Sequence, residues 1–143
     1  MYQRILLAYN GFSDSTFAAR HAAELAKFTD AHLHILGLTA TETAIELAEA
    51  GGTTDLLEEK RKTIMQTVDA AVVVLTDRGL NVTAAYREGD PATEIVSYAY
   101  QIEADLCVLA HADKRSLARW IQSAAGIRLL AHLPCNLLIP RAA

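Results

Sequence analysis

Leu106-Cys107-Val108-Leu109-Ala110 is a run of apolar residues without polar alternation, bounded by Ala104-Asp105 before it and by the polar stretch His111-Ala112-Asp113-Lys114-Arg115 after it. A strand with one face in water alternates apolar and polar residues, so a short unbroken run marks a strand buried on both faces, as in a parallel sheet. The run is too short for a buried helix segment. A helix is signposted just ahead of it. Gly89 supplies a turn, Asp90 a carboxylate N-cap, and Pro91 a φ already suited to the first helical position. Ala92, Ile95, Val96, Ala99 and Ile102 then form one apolar face. Helix, strand, loop and helix in this order belong to an open α/β sheet, where ligands bind outside the carboxyl ends of the strands because helix N-termini and free backbone N–H groups converge there. A binding site is therefore expected between Ala110 and Ala124.

The rest of the chain repeats the pattern. Arg4 to Tyr9 reads as a first buried strand, ending at the turn Asn10-Gly11, with Ser13 as a helix cap, Asp14 near the positive helix end, and Ala18, Ala22, Leu25 and Ala26 on one side of the helix. Ala31 to Leu38 reads as a second strand, with Leu33 and Ile35 on one face and His32, His34, Leu36 and Leu38 on the other. From Thr41 the pattern is helical, breaks at Gly51-Gly52, and resumes through Leu57, Ile64, Val68, Ala71 and Leu75 to a stop at Gly79. Val72 to Leu75 looks locally like a strand but continues that apolar face. Asn81 to Arg87 alternates, as a strand near a sheet edge would. Leu117, Ile121, Ala124, Ile127 and Ala131 continue one helix, Pro134 ends it, and Cys135 to Ile139 makes a final strand closed by Pro140. Strands alternating with helices imply an open five-stranded parallel sheet, Rossmann-like, with helices on both faces.

At 143 residues a single domain over 1–143 is expected. No apolar run approaches the roughly 20 residues of a membrane helix, and Ile5-Leu6-Leu7-Ala8 is too short for a signal peptide, so a cytoplasmic protein without membrane insertion is expected. The net charge of −4 lacks the footprint of a nucleic-acid binder. Cys107 and Cys135 sit among apolar residues, without the short spacing of a redox or zinc motif, and read as buried free thiols.

Several stretches together resemble the universal stress protein family. Arg4-Ile5-Leu6-Leu7-Ala8-Tyr9-Asn10-Gly11 is similar to its opening strand and turn, Gly89-Asp90-Pro91-Ala92-Thr93-Glu94-Ile95 to its helix start, and Ala104-Asp105-Leu106-Cys107-Val108-Leu109 to its fourth strand. His132-Leu133-Pro134-Cys135-Asn136-Leu137-Leu138-Ile139-Pro140 is similar to its last strand. The likeness covers essentially the whole chain. It implies a sheet ordered 3-2-1-4-5, a homodimer made through the last strand by Leu137 and Ile139, and a regulatory role in stress responses.

Members that bind ATP carry a loop of glycine, two residues, glycine, nine residues, glycine, then serine or threonine. The glycines let backbone N–H groups approach the phosphates and the hydroxyl adds a hydrogen bond. The matching positions here are Ala110, Asp113, Ser123 and Ala124, and all four depart. A carboxylate at Asp113 is repulsive toward a triphosphate. Asn10 stands where aspartate is common and Phe12 where a small residue is common. The resemblance thus implies a degenerate nucleotide site at Tyr9, Asn10, Gly11, Leu38, Ala110, His111, Asp113, Ser123 and Ala124, with ATP or another adenine nucleotide disfavoured as cofactor. The expected protein is a non-catalytic stress-response or regulatory module with a protein partner or small-molecule ligand. The alternative is an ATP-binding member with a variant phosphate loop.

Other readings carry less. Lys114, Arg115, Arg119 and Arg128 suit a solvated helix surface better than an anion site. His111 has only Asp113 as a candidate catalytic partner, so no catalytic residue is assigned. His32 and His34 face the same way on a strand but lack a third metal ligand. Trp120 and Phe12 could stack on a purine, but Trp120 fits core or dimer surface better. Asn10-Gly11-Phe12-Ser13-Asp14-Ser15 partly resembles the phosphate loop of the ATP pyrophosphatases, making an adenylating enzyme a distant alternative; Phe12 would block backbone approach to the pyrophosphate.

Overall fold

The first strand, β1 (Arg4–Tyr9), has four consecutive buried residues, Ile5 to Ala8, because it is covered on both faces. The computed structural model describes residues 1–9, 14–40, 49, 51, 54–109 and 114–140. After β1 come α1 (Asp14–Thr29), β2 (His32–Ala40), α2 (Thr54–Asp77), β3 (Asn81–Gly89), α3 (Pro91–Gln101), β4 (Leu106–Leu109), α4 (Lys114–Gln122), α5 (Ala124–His132) and β5 (Asn136–Leu138). The strands form one five-stranded sheet in the order β3-β2-β1-β4-β5, all neighbours parallel.

Side-chain alternation along the strands splits the core into two layers. Ile5, Leu7, Leu33, Ile35, Leu106 and Val108 face α1 and α2, where Ala18, Ala22 and Ala26 let α1 lie close to the sheet and Ile64 and Val68 anchor α2. Leu6, Ala8, Leu36, Leu38 and Cys107 face the other way, onto Ala92, Ile95, Tyr98 and Ala99 of α3 and Leu129 of α5. Val72 to Leu75 are helical, as the continuous apolar face requires, and α2 ends before Gly79, whose φ of 89° favours glycine. At the open edge, β3 is held to α2 by the Arg61–Glu88 ion pair at 2.6 Å and by the Tyr86 hydroxyl, which donates to Asp69.

The expected helical stretch from Thr41 to Gly52 lies outside the described residues except Glu49 and Gly51. Two strands run further than the sequence pattern indicates: β2 continues through Thr39 and Ala40, paired with Glu88 and Gly89 of a lengthened β3. The final strand is shorter, three residues rather than five.

The expected continuous helix through Ala124 is instead two helices broken at Ser123. Ser123 adopts extended angles (φ −76°, ψ 160°) and caps α5, its hydroxyl accepting from the Gly126 N–H at 3.1 Å. The break folds α5 onto the last turn of α4 so tightly that a Cβ at Gly126 would lie 1.9 Å from the Trp120 carbonyl oxygen. The spacing of three and four that runs through the break does not mark the buried side: Ile121, Ala124, Ile127 and Ala131 are exposed, and Trp120, Gly126 and Leu129 turn inward instead, so periodicity alone does not reveal the break.

Candidate functional site

In a parallel sheet all carboxyl ends lie along one edge, and here β1 and β4 are neighbours there: Ala8 pairs with Leu109 on one side and with Leu36 on the other, and Tyr9 pairs with Gly37. The chain leaves β1 toward β2 and leaves β4 toward β5, so the order reverses between them. That is the position at which open α/β sheets take ligands. Of the expected site residues, Asn10, Gly11, Ala110, His111 and Asp113 lie outside the described residues, as does Phe12. Tyr9 is half-buried against the α1/α2 layer, whereas Leu38 is buried in the α3/α5 layer, so the sheet separates these two side chains.

Ser123 and Ala124 sit at the start of α5. A helix start offers unpaired N–H groups and the positive end of the helix dipole to an anion. Here the Ser123 hydroxyl accepts from Gly126 N–H and donates to the Trp120 carbonyl oxygen at 2.5 Å, so both of its hydrogen-bonding roles are filled within its own turn. Ala124, the first residue of α5, is exposed and brings no polar group.

Beside this edge, Asp90 follows the last residue of β3 and caps α3, accepting from the Thr93 N–H at 3.1 Å and the Thr93 hydroxyl at 2.8 Å. Arg128 of α5 reaches the same carboxylate at 3.2 Å. The Thr93 hydroxyl bond, then the Thr93 N–H and the Arg128 charge, hold the Asp90 carboxyl below its usual range. Of the four basic residues weighed as an anion cluster, Arg128 is thus paired within the chain and Arg119 is exposed. The sequence names Asp90 as a cap but gives no signal for Arg128 as its partner, since the contact joins residues 38 positions apart.

Trp120 is half-buried against the α3/α5 core layer. His32 and His34 share a face as expected, with ring centroids 4.1 Å apart and stacked, and among the described residues no group of three or more histidine, cysteine or acidic side chains is placed to hold a metal. Cys107 is buried and Cys135 half-buried, both free. Burial pushes the Cys107 thiol far above its ordinary range, and burial followed by the charge of Asp105 pushes Cys135 to about 11.

The universal stress protein family model matches residues 1–141. The chain belongs to the universal stress protein family. A universal stress protein of Methanocaldococcus jannaschii is 28% identical over 140 residues, spanning 97% of this chain and 82% of the relative. Among solved structures, the universal stress protein UspA from Lactobacillus plantarum superposes with a TM-score of 0.74 at 22% identity, covering 98% of both chains. A universal stress protein from Archaeoglobus fulgidus solved in complex with dAMP gives 0.65 at 16% identity, again covering 98% of each. Family membership agrees with the 3-2-1-4-5 sheet, the helices on both faces and the element order of this member. Among the described residues, no helix is long and apolar enough to cross a membrane.

Proposed function

We propose that this universal stress protein is a non-catalytic regulatory binding module that binds ATP weakly or not at all, and that it acts as a homodimer through a protein partner or a small ligand other than ATP. The observation that carries the reading is Ser123. It occupies the family's third glycine position, and its hydroxyl caps α5 and is bonded to Trp120 and Gly126, so the helix start is already served by its own chain. A phosphate entering there would have to displace this cap or forgo its N–H bonds. Ala124 replaces the hydroxyl that phosphate-binding members supply next, and Asp113 adds a negative charge to the same loop.

A second reading has one observation in its favour. The Archaeoglobus fulgidus relative was solved with dAMP, a nucleotide with a single phosphate, and such a ligand asks much less of the phosphate loop than ATP does. The alternative is an adenine-nucleotide site that tolerates the altered loop.

The small molecules released by denaturing purified native protein, identified by mass spectrometry, separate the readings. The proposed module releases no ATP. Stoichiometric ATP would overturn the proposal, and stoichiometric AMP or dAMP would establish the second reading in its place.

A further inference from the structure

At the amino-terminal end of β2, on the face covered by α3, the chain half-buries an imidazole and shields both of its ring nitrogens. Both ring nitrogens of His34 are shut off from solvent and have no hydrogen-bond partner among the described residues. Its ring lies stacked on that of His32 at 4.1 Å and meets the Tyr98 ring of α3 in a T-shaped contact with centroids 6.3 Å apart. His32 in turn is tied to β3, its Nε2 lying 2.7 Å from the Thr83 hydroxyl. Two imidazoles thus connect β3, β2 and α3 in one line of contact.

Neutral imidazole has one N–H to place, whereas imidazolium has two N–H donors and a charge, and neither His34 nitrogen meets an acceptor among the described residues. Positive charges also stand close by. Arg4 of β1 stands beside His32 in the strand register, and Arg87 of β3 lies over the Tyr98 ring at 5.7 Å, where it bonds the Gln101 side chain. His32 would add a second positive charge in direct contact. Cys107 of β4, on the same sheet face, stays neutral. Two acidic groups face Arg4: the Asp105 carboxylate accepts from the Arg4 backbone N–H at 3.1 Å and from the Gln3 N–H at 2.7 Å, and Glu103 lies 3.9 Å from the Arg4 guanidinium with a side chain 83% exposed.

We propose that the His32–His34 stack is an acid-sensitive latch: it holds the β2–β3 edge against α3 while His34 is neutral, and protonation of His34 opens that corner. Burial first, then His32 and Arg4, depress the His34 pKa from its ordinary 6.5 to about 4. A histidine with a lowered folded pKa takes up its proton more readily in the opened chain. Stability therefore falls as pH drops below about 6.5 and levels off below about 4. A shared metal is the poorer account of the pair, since stacked rings direct their lone pairs side by side rather than to one point.

Two measurements test the latch. In the first, the Cε1 proton of His34 is followed by NMR in the unmodified protein from pH 8 to 4, together with the amide signals of Thr83, Tyr98 and Arg128. The latch requires His34 to titrate well below the ordinary 6.5, with Thr83 and Tyr98 shifting in step and Arg128 still; titration at or above that value, or a change spread evenly over the chain, overturns it. In the second, melting temperature is followed against pH for wild type and His34→Phe, which keeps an aromatic ring in contact with His32 and Tyr98. Wild type should lose melting temperature between pH 7 and 4.5 and His34→Phe should lose much less; parallel profiles overturn the latch.

Discussion

The Arg128 guanidinium lies 3.2 Å from the Asp90 carboxylate, so the residue that starts α3 is also held by the middle of α5. The two contributions differ in size. Loss of an N-cap costs about 0.5–2 kcal/mol, whereas an exposed ion pair contributes about 0.2–1 kcal/mol. Asp90→Ala should therefore destabilise the chain by about 1–2 kcal/mol in urea titration. Asp90→Asn, which keeps a capping oxygen, should lose only the smaller part. Because the Asp90 pKa is lowered, its stabilisation is complete above the ordinary carboxyl value of 3.8 and is lost as pH falls through the folded value. The difference between wild type and Asp90→Asn should close in acid below that point.

Gly126 permits the close crossing of α4 and α5. A methyl group there meets the Trp120 carbonyl oxygen at 1.9 Å, which is backbone and cannot rotate away. Gly126→Ala should cost at least about 1–3 kcal/mol, the usual range for forced overpacking, despite the better helix propensity of alanine. Chemical denaturation measures it. A stabilised variant would show that the crossing relaxes freely.

These two sites also show how far the sequence can be read. The buried strands, the edge character of β3 and the Asp90-Pro91 helix start were legible because burial, alternation and capping leave local marks. The break at Ser123 was not, because the apolar spacing crosses it and the deciding contact, Gly126 on Trp120, exists only after the helices pack. The extra length of β2 and β3 was hidden likewise, since Thr39, Ala40, Glu88 and Gly89 gain strand conformation by pairing with one another rather than from propensity. For the site, the sheet reversal between β1 and β4 followed from the family resemblance. That Tyr9 and Leu38 lie on opposite sheet faces follows only from the register.

Cys107 and Cys135 should remain protonated and slow to react in the native protein. Burial raises both thiols, Cys135 to about 11, and the reactive species is the thiolate. A thiol reagent at pH 7.5 should label the folded chain slowly and the denatured chain quickly, with Cys135, the less buried of the two, reacting first. Fast native labelling of Cys107 would contradict this.

The proposed homodimer has a concrete edge to use. β5 is short and lies at the rim of the sheet, where unpaired backbone groups invite a second copy. Leu137 packs against the α3/α5 core layer, so a charge there would disturb the fold as well as the dimer. Ile139, beyond the paired residues of β5, is the cleaner position. Ile139→Lys should shift the protein toward monomer in analytical ultracentrifugation with its circular dichroism unchanged. An unaltered dimer would place the interface elsewhere.

Weak ATP binding is the central claim, and titration calorimetry tests it most directly. Each lost hydrogen bond to a charged group costs about 1.5–3 kcal/mol, so two or three losses move a micromolar site beyond millimolar. The unmodified chain should give no measurable heat with ATP at tens of micromolar. Combining Ala110→Gly, Asp113→Gly, Ser123→Gly and Ala124→Ser should recover binding, with Asp113→Gly the largest single step. Glycine at an N-cap costs only a few tenths of a kcal/mol, so the combined variant should still fold. Micromolar ATP affinity in the unmodified chain would contradict the account.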